Sequence, residues 1–97
     1  MLDKFIAEII GTFIFLSVIM IAVNTDKSLA WIEIGLALSI CILLVGAVSG
    51  GHLNPAVSFM FYLNNSINSS DFAMYTTAQL IGAGLAYTYY TTKIKAH

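Results

Sequence analysis

The chain has 97 residues, of which 59% are hydrophobic and 9% charged, with a formal net charge of −1. A soluble globular domain carries about 25% charged residues, so this composition belongs to a chain whose solvent is lipid. Four lysines, no arginine and a slightly negative balance give no basic face for nucleic acid, and the single cysteine, Cys41, excludes an internal disulfide and reads as a packing residue in an apolar run.

Residues 5–23 form the first predicted span, interrupted by Glu8. The run is roughly 19 residues, longer than the ~7–15 of a signal peptide's core, so it reads as a retained helix. Ala7 and Gly11 stand four apart, the small-residue spacing that lets helices approach closely. After a short polar turn, residues 30–48 form the second span, with Gly35 and Ser39 at the same spacing and Trp31 placed as an interface anchor.

The next stretch reads Ser49, Gly50, Gly51, His52, Leu53, Asn54, Pro55, Ala56, Val57, Ser58. Paired glycines allow a sharp turn, and Asn followed by Pro is a helix start, with Asn54 at the N-cap and Pro55 at the first helical position. The helix runs only to about Leu63, because residues 64–70 are a polar Asn/Ser stretch. About ten residues at ~1.5 Å each give roughly 15 Å, half the hydrocarbon layer. Such a re-entrant half-helix puts free N–H groups and a positive dipole end near the middle of the membrane, which is tolerable where it lines a cavity or is buried in protein. The stretch therefore predicts a pore or a binding site.

Residues 72–92 form the third predicted span, with Asp71 as its expected N-cap. Ala78, Gly82 and Ala86 make a small-residue stripe; Tyr87, Tyr89 and Tyr90 suit an aromatic belt, with Lys93 and Lys95 among the headgroups beyond. The sequons at Asn64 and Asn68 read as accidents of an Asn/Ser-rich loop. The predicted fold is a single all-α membrane domain over residues 1–97: three transmembrane helices plus one re-entrant half-helix.

A carboxylate inside a span is costly and by default functional, so Glu8 is a candidate, its bland reading being an interfacial acid that reaches headgroup water. The Asn54 side chain can donate its N–H₂ to a permeant oxygen, or be a simple cap. His52 reads as a proton relay or as a hydrogen-bonded loop residue. No nucleophile stands beside a base and no His, Cys and carboxylate cluster has metal-ligand spacing, so neither an enzyme nor a metal or cofactor is expected.

Asn54-Pro55-Ala56 within residues 49–58 resembles the first signature loop of the aquaporins, the major intrinsic proteins. Ala7, Glu8, Gly11, Thr12 and Phe13 resemble that family's first span, and Tyr75, Ala78, Gln79, Gly82 and Ala83 its third. The resemblance covers the whole chain but one half of the family's polypeptide. It implies a pore lined by Gly51, His52, Asn54, Pro55 and Ala56, the His52 carbonyl contributing, with Glu8 and Gln79 bracing the loop and the half-helix end repelling protons. Val57 stands where the family's second half carries an arginine, and counting back from Asn54 without gaps places Ile34 and Ile42 at its other two side-chain filter positions.

Three packed helices leave no lumen, and the family completes its pore from two inverted halves. The expectation is a passive channel for water, extending to small neutral solutes such as glycerol, assembled from inverted copies in the lipid, four dimers making a tetramer of dimers. Two alternatives stand beside it: a split channel completed by a separate arginine-bearing chain, and a non-conducting protein that associates with full-length aquaporins. Dual insertion needs a weak positive-inside bias, and the lysines divide as Lys4 on one side against Lys27, Lys93 and Lys95 on the other.

Overall fold

The computed structural model describes residues 1–95, and among them every regular element is helical. Helix α1 spans Leu2–Val23, α2 Ala30–Ser49, α3 Pro55–Leu63 and α4 Ser69–Tyr89, the last continuing into a π-helical turn over Tyr90–Ile94. The first helix starts three residues before its apolar run. Asp3 lies in its first turn, where a carboxylate suits the positive helix end, and sits 3.5 Å from the terminal ammonium. At the other end Asn24 Nδ2 donates to the Met20 carbonyl (2.7 Å) and Thr25 Oγ1 to that of Ile21 (2.6 Å), standing in for the missing amides. In the following turn Ser28 donates twice to Asp26, through its hydroxyl and its amide, which holds that carboxyl below its ordinary range.

Asn54 caps α3: its Oδ1 accepts from the Ala56 amide at 2.8 Å, with Pro55 just inside the helix. The cap of α4 is not Asp71 but Asn68. Its backbone is extended and its Oδ1 accepts from the Asp71 amide (2.7 Å), while Asp71 Oδ2 accepts in return from the Asn68 amide (3.4 Å). This reciprocal box satisfies two amides where a cap at Asp71 would satisfy one, and so starts the helix earlier. Replacing Asn68 with alanine is expected to lower stability by about 1 kcal/mol, read as a drop in the helical melting temperature in detergent.

The longest dimension, 42 Å, matches a bilayer with its headgroups, about 40–45 Å. α1 lies between α2 and α4, and α3 packs on α4. The predicted stripe of Ala78, Gly82 and Ala86 is buried in this packing. A Cβ on Gly82 would stand 2.9 Å from the Ile9 carbonyl oxygen and 3.2 Å from the Phe13 amide nitrogen, so only glycine permits this approach of α4 to α1. Gly35 and Ser39 differ: among the described residues nothing stands within 4 Å of where a Gly35 Cβ would be, and the Ser39 hydroxyl donates to its own helix at the Gly35 carbonyl.

Ala7, Cys41, Val45 and Leu53 form the apolar core, with Phe15 and Leu38 against it, while Trp31, Leu36, Leu43 and Leu80 face outward. Among the described residues the buried polar ones are Glu8, Thr12, Ser17, Ser49, Ser58 and Gln79. This arrangement, polar groups inside and large apolar side chains outside, is the one lipid demands. Among the described residues α1 and α2 are the helices both long and apolar enough to cross a membrane; α4 has the length but carries the polar residues Thr76, Thr77, Gln79 and Thr88.

Candidate functional site

Four of the buried polar residues, Glu8, Ser49, Ser58 and Gln79, converge on the turn between α2 and α3. Here the backbone runs left-handed at Gly50 (φ 87°), Gly51 (φ 63°) and Leu53 (φ 56°). Gly51 needs its missing Cβ as well, since one would stand 3.3 Å from the Ile42 Cα. Leu53 pays local strain to reach this conformation, and it is 3% exposed, its side chain filling the hollow over Gly11.

Glu8 holds the turn. Its Oε1 accepts from the Leu53 amide (2.9 Å) and from Gln79 Nε2 (3.0 Å); its Oε2 accepts from the Ser49 hydroxyl (2.7 Å) and the His52 amide (3.0 Å). It is 0% exposed and lies nearly two turns into α1, so it does not reach headgroup water, which corrects that alternative. A buried carboxylate without a cation is tolerable because four donors share its charge.

Further bonds extend this centre. Ser49 Oγ accepts from the Gly51 amide (3.2 Å), and the Tyr75 hydroxyl donates to the Ser49 carbonyl (2.6 Å). Gln79 Nε2 donates also to Ser58 Oγ (3.0 Å), which is 2.8 Å from His52 Nδ1. The His52 ring is clamped between Tyr75, at 4.0 Å and 11° between planes, and Phe61, at 4.9 Å and 23°.

Asn54, Pro55 and Ala56, at the tip of α3, are exposed. The two readings of Asn54 are compatible: the cap engages Oδ1, while its N–H₂ has no partner among the described residues. Ile42, Gly51, His52, Asn54 and Val57 line one cavity of about 220 Å³, together with Phe15, Leu38 and Leu53. Pro55 and Gln79 line a second of about 420 Å³, which Asn54 also borders. Ile34, two turns before Ile42 on α2, reaches neither, and nor does Ala56.

Ser49, Ser58 and Tyr75 carry parts of the network that the residue chemistry did not single out. Their residue chemistry signals only hydroxyl groups in an otherwise apolar setting; Tyr75 enters the sequence reading through the resemblance of the third span, and Ser49 and Ser58 as the ends of the signature stretch.

The family model for major intrinsic proteins matches residues 1–95. Over 86 residues the chain is 37% identical to a glycerol uptake facilitator protein-like 6 of Lactiplantibacillus plantarum, covering 86% of this chain and 40% of that protein. It is 38% identical over 89 residues to an aquaporin-2 of Rhizopus delemar, covering 82% and 28%, and 37% identical over 99 residues to an aquaporin AqpM of Methanothermobacter marburgensis, covering 91% and 40%. The chain thus spans two fifths or less of the length of these relatives. No solved structure matches. A family match over nearly its whole length, with two membrane-length apolar helices, makes this an integral membrane protein that belongs to the major intrinsic protein family.

Proposed function

We propose that this chain is one half of a passive channel for water and small neutral solutes such as glycerol, with α1, α2 and α4 as spans and α3 as a re-entrant half-helix, completed by a second copy inserted upside down. The observation that carries the reading is the exposed tip of α3, where Asn54 keeps a free N–H₂ at the edge of a cavity. A half-helix end of this kind offers donors and positive potential to an oxygen and repels cations and protons. Glu8 and Gln79 brace the loop, Gly51, His52, Asn54, Pro55 and Ala56 line the path, and each mouth takes Ile34 from one chain with Ile42 and Val57 from the other. These mouths carry no charge, which suits neutral solutes and modest water flux.

Stopped-flow swelling of proteoliposomes containing this chain alone tests the reading. Water flux above that of empty vesicles is expected, and Asn54→Phe should return it to the empty-vesicle rate, whereas Asn54→Asp, which keeps an oxygen for the cap, should leave the fold intact. Labelling of Lys4 and Lys95 from outside should find both orientations. A single orientation, or no flux from the pure chain, would refute the inverted homodimer and favour a complementary half-channel or a non-conducting partner of longer aquaporins.

A further inference from the structure

We infer that the chain of hydrogen bonds from Glu8 through Gln79 and Ser58 fixes His52 as its Nε2–H tautomer, so that the ring presents a permanent donor, never an acceptor, at the loop. The argument is an accounting of hydrogens, starting from groups whose roles cannot change. The His52 and Leu53 amides can only donate, and one points at each oxygen of Glu8. With its acceptor role set in this way, Glu8 Oε1 requires that the Gln79 atom 3.0 Å away be the amide nitrogen.

That nitrogen has two hydrogens, and the second goes to Ser58 Oγ at 3.0 Å. Ser58 is 0% exposed, and its hydroxyl has one hydrogen of its own. The remaining polar neighbour of Ser58 Oγ among the described residues is His52 Nδ1, at 2.8 Å, so the hydroxyl donates there. An Nδ1 that accepts carries no hydrogen, and the ring proton of neutral His52 must sit on Nε2.

The stack between Tyr75 and Phe61 holds the plane of the ring, and the Ser58 bond holds its rotation within that plane. Nε2 lies on the Gly50 side and has no partner among the described residues. His52 lines the same cavity as Asn54, while its Nε2 lies beside Gly50, which is not part of that lining. An amide N–H does not surrender its proton, so Gln79 interrupts any proton path from the ring to Glu8. His52 is then a group that positions the loop, which rests on the channel reading, although the tautomer itself does not.

Nitrogen-15 solid-state NMR of the full chain in lipid bilayers reads the tautomer directly, with His97→Gln leaving one histidine and the pH at about 8, above the ordinary histidine range. A single Nε2–H form is expected. Ser58→Ala removes the hydroxyl that donates to Nδ1, and the minor tautomer should rise about fivefold, the worth of one hydrogen bond. Ser58→Thr, which keeps the hydroxyl, should retain the single form. An Nδ1–H form or a mixture in the otherwise unaltered chain overturns the inference, and so does a Ser58→Ala spectrum identical to it. Absent water flux beside an intact Nε2–H signal would sink the channel reading and leave this one standing; flux with the wrong tautomer would do the reverse.

Discussion

Glu8→Gln is expected to loosen the turn between α2 and α3 and to lower stability by about 1–3 kcal/mol, with water flux falling by about an order of magnitude. Glutamine keeps one acceptor oxygen and turns the other into a donor. On either side that donor meets a backbone amide, His52 or Leu53, which cannot reverse its role. The other two partners can adapt: Gln79 has an Oε1 with no present partner to turn toward the new group, and the Ser49 hydroxyl has the Val45 carbonyl 3.3 Å away. One orphaned amide therefore sets the size of the effect. Glu8→Leu orphans all four donors and should be distinctly worse. Thermal unfolding in detergent ranks the three proteins, and variants that melt with the parent chain would show that the carboxylate is not what shapes the loop.

Gly82→Ala is expected to cost about 1–3 kcal/mol, although alanine is the better helix former. Its Cβ would meet the Ile9 oxygen and the Thr12 Cβ at 2.9 Å and the Phe13 nitrogen at 3.2 Å. Two of these are backbone atoms of α1 and cannot rotate aside, so the helices must part. Gln79, one turn earlier on α4, would be drawn away from Glu8, so flux should fall with stability. Gly84 on the same helix is the control, because a Cβ there meets nothing within 4 Å. Equal melting temperatures for Gly82→Ala and Gly84→Ala would contradict the close α1 to α4 contact.

The parts of this fold that can be read from the sequence are those dictated by local chemistry. Asn54 followed by Pro55 starts α3 because the cap and the fixed proline φ act within three residues. Gly50 ends α2 because a left-handed residue is needed there. What cannot be read depends on which faces meet. Ala7 with Gly11 and Gly35 with Ser39 share one spacing, yet Gly11 lies under Leu53 and Val45 while a Cβ on Gly35 would meet none of the described residues within 4 Å. At the site, Glu8 announces itself because a carboxylate in an apolar run has few explanations. Ser49 and Ser58 do not, since serine is ordinary in any helix and their partners lie 41 and 21 residues away, at Glu8 and Gln79. The cap of α4 shifts from Asp71 to Asn68 for a related reason: either residue can cap, and only the backbone decides.

The separations around Glu8 also fix an order of events at the ribosome. The first donor to reach it, Ser49, is 41 residues downstream, and the last, Gln79, is 71. At ~5–20 residues per second, α1 waits about 2–8 s for the earlier group and about 4–14 s for the later one. Throughout that interval the nascent first helix carries an acid without its donors, so one acid sets back the insertion of an otherwise apolar helix by about 2.5–3.5 kcal/mol until the turn arrives to claim it.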